Sequence, residues 1–96
     1  MKTRFTILLT FFAYSIFAQT KISGIVRDEK GEAIPGANVF IQDSYDGISS
    51  DFEGKFSFIA EEKGKKLLVA TFVGYKQFQQ AVELRGQALT IQIILK

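Results

Sequence analysis

Histidine, cysteine and tryptophan are absent from the 96 residues, and proline occurs once, at Pro35. Without histidine or cysteine the chain has no Ser-His-Asp or Cys-His nucleophile pair, no zinc site of the usual ligands and no disulfide. The lack of cysteine also excludes the acylated cysteine of a bacterial lipoprotein. Charge of one sign is missing too: Lys2 and Arg4 account for the whole formal charge of +2, and residues 19–96 carry equal numbers of acidic and basic groups. Nucleic acid and anionic membranes are therefore not expected partners, since both call for a surplus of Lys and Arg on one face. What is present is apolar. At 47% hydrophobic the chain is too rich for a disordered one. Its length bounds it to one domain and is too short for a membrane barrel built from this chain alone.

Residues 1–18 read as a secretory signal. Lys2 and Arg4 supply the positive start, Phe5 to Phe17 is an uncharged apolar stretch, and Ala18 supplies the small residue before cleavage. The stretch is shorter than the roughly 20 residues a spanning helix needs. The expectation is cleavage between Ala18 and Gln19, which leaves residues 19–96 as a single exported domain with no transmembrane segment. An uncleaved anchor helix is the competing reading.

The exported part reads as short strands. Ile22–Arg27 is rich in β-branched residues. Ala37, Val39 and Ile41 fall on one face at period two, which turns Asn38 and Phe40 outward. Ile48–Ser50 is a weak strand, and Lys55–Ile59 a firm one with Phe56 and Phe58 on one side. Glu61–Lys66 is expected as a charged loop. Leu67–Val73, apolar on both faces except at Thr71, is expected as a central strand covered on both sides. Tyr75–Leu84 carries Phe78 and Val82, and Leu89, Ile91, Ile93 and Leu95 line one face of the final strand. Gly and Asp turns separate these runs, a pattern that indicates an all-β sandwich or small barrel.

Three ordered motifs carry a resemblance. Gly24 to Val39 includes Asp28, Gly31, Pro35, Gly36 and Ala37; Gly47 to Phe58 includes Asp51, Gly54 and Phe56; Leu68 to Lys76 includes Gly74 and Tyr75. Together they resemble the carboxypeptidase-regulatory-like family over residues 21–95, with Ala33, Ile34 and Ser50 standing where that family has Pro, Leu and Thr. The resemblance implies a seven-stranded Greek-key β-sandwich of transthyretin-like topology. It also implies a non-enzymatic accessory or interaction module of the cell envelope, in the periplasm or at the periplasmic face of the outer membrane. Its implied partner is a TonB-dependent receptor of the Bacteroidetes type, or that receptor's plug. The sequence runs to Lys96, right after the last strand, without the plug and barrel of such a receptor, so either a stand-alone module or the front piece of a larger gene is expected. The alternatives are a truncated N-terminal extension of a TonB-dependent transporter, or an accessory domain of a metallocarboxypeptidase-type enzyme.

The residues themselves support structural roles for these motifs. Gly24, Gly31, Gly36, Gly54 and Gly74 mark turns or close approaches, and Pro35 pre-sets a turn. Asp28 and Asp51 each stand three residues before a Gly, where a carboxylate can accept backbone N–H groups and close the turn. Tyr75 is expected to bury its ring and keep its hydroxyl at a polar edge. No catalytic, cofactor or metal residues are assigned. Asp43, Asp46, Asp51 and Glu53 do not follow calcium-loop spacing, and turn chemistry accounts for them better. Asp51 and Glu53 sit too close together on one turn for the paired acids of a glycosidase. Lys63, Lys65 and Lys66 lie beside Glu61 and Glu62, a mixed-charge segment rather than a docking patch.

Overall fold

The structure is a computed structural model and describes residues 19–96. Residues 1–18, read above as an export signal ending at Ala18, lie outside the described residues. The strands are β1 Thr20–Asp28, β2 Asn38–Ile41, β3 Gly47–Ser49, β4 Lys55–Ala60, β5 Gly64–Thr71, β6 Phe78–Leu84 and β7 Ala88–Leu95. They form a three-stranded sheet in the order β4-β1-β7 and a four-stranded sheet in the order β3-β2-β5-β6. The chain passes between the sheets after β1, β3, β4 and β6, giving the Greek-key sandwich expected. All neighbours pair antiparallel except β1 and β7, which run parallel with Gly24 opposite Ile91.

Alternation decides what fills the sandwich. Phe56, Phe58 and Ala60 of β4, Ile22 and Val26 of β1, and Ile91, Ile93 and Leu95 of β7 are buried from one sheet. Val39 and Ile41 of β2, Leu68 and Ala70 of β5, and Val82 and Leu84 of β6 face them from the other. Gly24 lies in this inward row. A Cβ there would overlap the Ile91 carbonyl and crowd the Phe56 ring, so only glycine lets β1 sit this close to its neighbours.

Three expectations about the middle of the chain need correction. The charged segment is a loop only to Lys63, because β5 begins at Gly64. Lys65 pairs across the ladder with Glu83, and Lys66 with Val82 while its ammonium reaches Glu62 at 3.3 Å. Long Lys stems can line a strand while the charge stays in water. The apolar run also stops being strand at Thr71, since Tyr75 N–H bonds back to the Phe72 carbonyl (3.1 Å) around Gly74 at φ 92°. The cover expected on both faces of this run is limited to one residue, since Leu67 and Thr71 are only partly buried and Lys65 is exposed. Val69, on the face away from the core, is only 1% exposed, and its cross-strand partners are Phe40 and Gln79.

Candidate interaction surface

The family-like motifs converge on one end of the sandwich. The β1–β2, β3–β4 and β5–β6 connections all turn there, and β7 finishes there. Two of the connections use the same device. Asp28 Oδ1 accepts the N–H groups of Lys30 and Glu32, both at 2.9 Å. Asp51 Oδ1 accepts those of Glu53 at 2.9 Å and Lys55 at 2.8 Å. Gly31 and Gly54 take φ of 87° and 77°, which closes each turn with an N–H to the carbonyl of its own Asp. Val26 joins the two: its N–H donates to Gly54 (2.7 Å) and its carbonyl accepts from Ile34 (2.9 Å).

Ser50 holds the third segment. Its buried hydroxyl donates to the Ile34 carbonyl at 2.6 Å and accepts the Ala37 N–H at 2.9 Å. Its backbone accepts from Gly36 and donates to Ala37 O, each at 2.9 Å. The Pro35-Gly36 turn, with Gly36 at φ 80°, is thus fastened to the β3–β4 connection at both ends. Sequence reasoning treated Ser50 only as a mild departure from Thr. The available signal was the hydroxyl itself, the one feature that Ser and Thr share.

This rigid backbone presents apolar side chains to solvent. Phe52 is 93% exposed and Val73 90% exposed. Pro35, Gly36, Ser50, Asp51 and Phe52 border a shallow hollow. The Phe72 ring, itself partly exposed, comes close to Gly36 and stacks at a tilt on Tyr75 with centroids 6.2 Å apart. Tyr75 packs against the core, and the neighbouring Lys76 N–H holds the Lys96 carbonyl at 2.8 Å. A turn whose backbone is already held by hydrogen bonds loses little further backbone freedom when a partner covers the apolar side chains it carries.

The acidic residues weighed for metal or acid chemistry do not come together. Asp43 and Asp46 lie in the β2–β3 connection at the opposite end, and Asp46 Oδ2 accepts the Glu61 N–H at 2.8 Å. Glu53 faces Lys55 at 3.3 Å. Among the described residues no group of three or more His, Cys, Asp or Glu is placed to hold a metal ion. No buried side-chain nitrogen or oxygen among them lacks a hydrogen bond. Asn38 is exposed and meets the Ser49 hydroxyl at 3.3 Å, and Gln19 is exposed against Glu61 at 3.2 Å.

Comparison with known proteins identifies the family. The sequence matches the family described as CarboxypepD_reg-like domain over residues 22–96. It is 33% identical over 87 residues to the TonB-dependent receptor SusC of Bacteroides thetaiotaomicron, covering 90% of this chain and 8% of that receptor. It is 41% identical over 76 residues to the TonB-dependent receptor P26 of Formosa agariphila, covering 79% of this chain and 7% of that protein. The chain therefore spans about 8% of the length of the curated relatives it matches. Among solved structures, a type II cohesin–X-dockerin complex from Acetivibrio cellulolyticus superposes with TM-score 0.66 at 16% identity, over 79% of this chain and 56% of the other. At that identity the likeness is one of fold.

Proposed function

The chain belongs to the CarboxypepD_reg-like domain family, and from that premise we propose that it is a non-enzymatic interaction module of the cell envelope. It is exported by the signal in residues 1–18 and cleaved after Ala18. It works with a TonB-dependent receptor at the periplasmic face of the outer membrane. The observation that carries this reading is the end of the sandwich where the motif turns hold Phe52 and Val73 in solvent. A photo-crosslinking residue at Phe52, introduced in the source organism, should give an adduct that mass spectrometry identifies as a TonB-dependent receptor. The same probe at Tyr45, fully exposed at the opposite end, should not. Equal adducts from both sites, or receptor adducts from neither, would reject the reading. N-terminal sequencing of the periplasmic protein should begin at Gln19.

One observation favours a second reading. The matched relatives are receptors of which this chain spans about 8%, as an extension of such a transporter would. A barrel coding sequence continuing from the Lys96 codon, in frame or one frameshift away, would decide for it.

A further inference from the structure

The four sheet edges are not equally protected. β3 has three residues. β4 carries Lys55 and runs beside β3. β6 carries Glu83. By contrast β7 is eight residues long, with no charge, proline or glycine from Ala88 to Leu95. Its only ladder is with β1. Among the described residues, its other edge meets a single backbone bond, from Lys76 to Lys96 just past the strand. Ile94, on the outer face, is 50% exposed. Phe78 and Gln79 of β6 stand across a groove from Gln92 and Ile94, so the sandwich is open on this side. A long, uncharged edge is a template for another strand, and soluble proteins ordinarily blunt it.

We propose that this edge binds a second copy of the chain, β7 against β7, antiparallel about a two-fold axis at Gln92. The sequence is self-complementary in that register. Leu89 of one copy falls opposite Leu95 of the other, and Ile91 opposite Ile93, so the four core-facing residues of each strand stay on the core face. Thr90 falls opposite Ile94 on the outer face, and Gln92 opposite its own equivalent. A register one residue away would set core-facing positions against outward ones. A two-fold contact uses the same patch on both copies. The strand itself is uncharged, and the lysines that border its edge, Lys76 and Lys96, lie at its C-terminal end, which the two-fold axis at Gln92 carries to opposite ends of the strand pair. The result is one continuous sheet, β4-β1-β7 joined to its two-fold mate, with the exposed edge removed. This surface is separate from Phe52 and independent of the receptor reading.

Sedimentation equilibrium on the protein purified from full-chain expression tests it. A strand-on-strand contact is smaller than a standard interface, so dissociation on the order of 10 to 100 µM is expected. Gln92 is exposed and its Oε1 only accepts a 3.4 Å bond from Arg27, so charging it leaves the core intact. Gln92→Lys and Gln92→Glu each place like charges opposite one another and should weaken association at least about tenfold. An equimolar mixture of the two should associate again, as a heterodimer. A wild-type protein that stays monomeric to about 1 mM, well above that range, would overturn the proposal. So would association that ignores the charge at Gln92, or variants that the mixture does not rescue.

Discussion

The two ends of the sandwich are built differently. At the motif end, three connections are fastened by two aspartates and a buried serine, and the large apolar side chains most exposed there are Phe52 and Val73. At the other end the connections carry Asp43, Ser44, Asp46, Glu61, Glu62, Arg85 and Gln87, and their bonds lie nearer the surface. Tyr45 is exposed there, a ring with a polar handle. The contrast separates two uses of polar groups. At the motif end they hold the backbone beneath apolar groups that face water; at the far end buried Thr20 accepts the Gly86 N–H at 2.8 Å, and the other polar groups lie nearer the surface.

Both ends rest on one core, so a core truncation sets the upper mark. Phe58 alternates with exposed Ser57 and Ile59 and packs beside Phe56, ring centroids 6.5 Å apart. Phe58→Ala should cost roughly 3–5 kcal/mol in a urea titration, most of what a domain this small has. Ser57→Ala should stay within about 0.5 kcal/mol. If both changes were equally mild, the inward assignment of β4 would be wrong.

The serines compare the ends directly. Ser50→Ala strips a buried hydroxyl from the Ile34 carbonyl and the Ala37 N–H, leaving both without that partner. A loss of about 2–3 kcal/mol is expected. Ser44 also bridges a carbonyl and an N–H, Ile41 O at 3.0 Å and Asp46 N at 3.1 Å, but it is only part-buried and water can replace it. Ser44→Ala should cost about 0.5–1 kcal/mol. Equal losses would erase the distinction between the ends.

How much of this was legible in the sequence follows from the range of the interactions. Period-two alternation places Phe56, Phe58, Ile91, Ile93 and Leu95 because a strand's faces are a local property. The Asp turns are legible for the same reason, since Asp28 and Asp51 bond to backbone two and four residues on. Ser50 is not, because its hydroxyl serves residues 13 and 16 positions away. The start of β5 was hidden by Lys65 and Lys66, whose charges read as loop while their backbone joins the ladder to Glu83 and Val82. Nothing in the pattern marked Phe52 as exposed, because exposure of a turn residue depends on what the other connections leave uncovered.

Asp51 tests the turn device itself. Its carboxylate satisfies two N–H groups at the surface, so Asp51→Ala should cost about 1–2 kcal/mol, comparable to losing a helix cap. Asp46→Ala removes one such bond, to Glu61, and should cost about half as much. Thermal melts of the two variants would show the ratio, and a larger loss for Asp46 would reverse it.

The smallest effect on stability should come from the residue that matters most for contact. Phe52 is 93% exposed in the folded protein, so truncation removes almost no buried area. The turn beneath it is set by Asp51 and by Gly54 at φ 77°, neither of which needs the ring. Phe52→Ser should therefore move the melting free energy by no more than about 0.5 kcal/mol. Contact with a partner should respond differently, because an exposed aromatic anchor entering a dry pocket commonly carries 2 kcal/mol or more of binding, on the order of a thirtyfold change in affinity. Unchanged melting with lost receptor crosslinking at Val73 would assign the ring to recognition. Unchanged melting with unchanged crosslinking would leave the motif end with no contact role for Phe52, and the contrast between the two ends would reduce to one of turn construction alone.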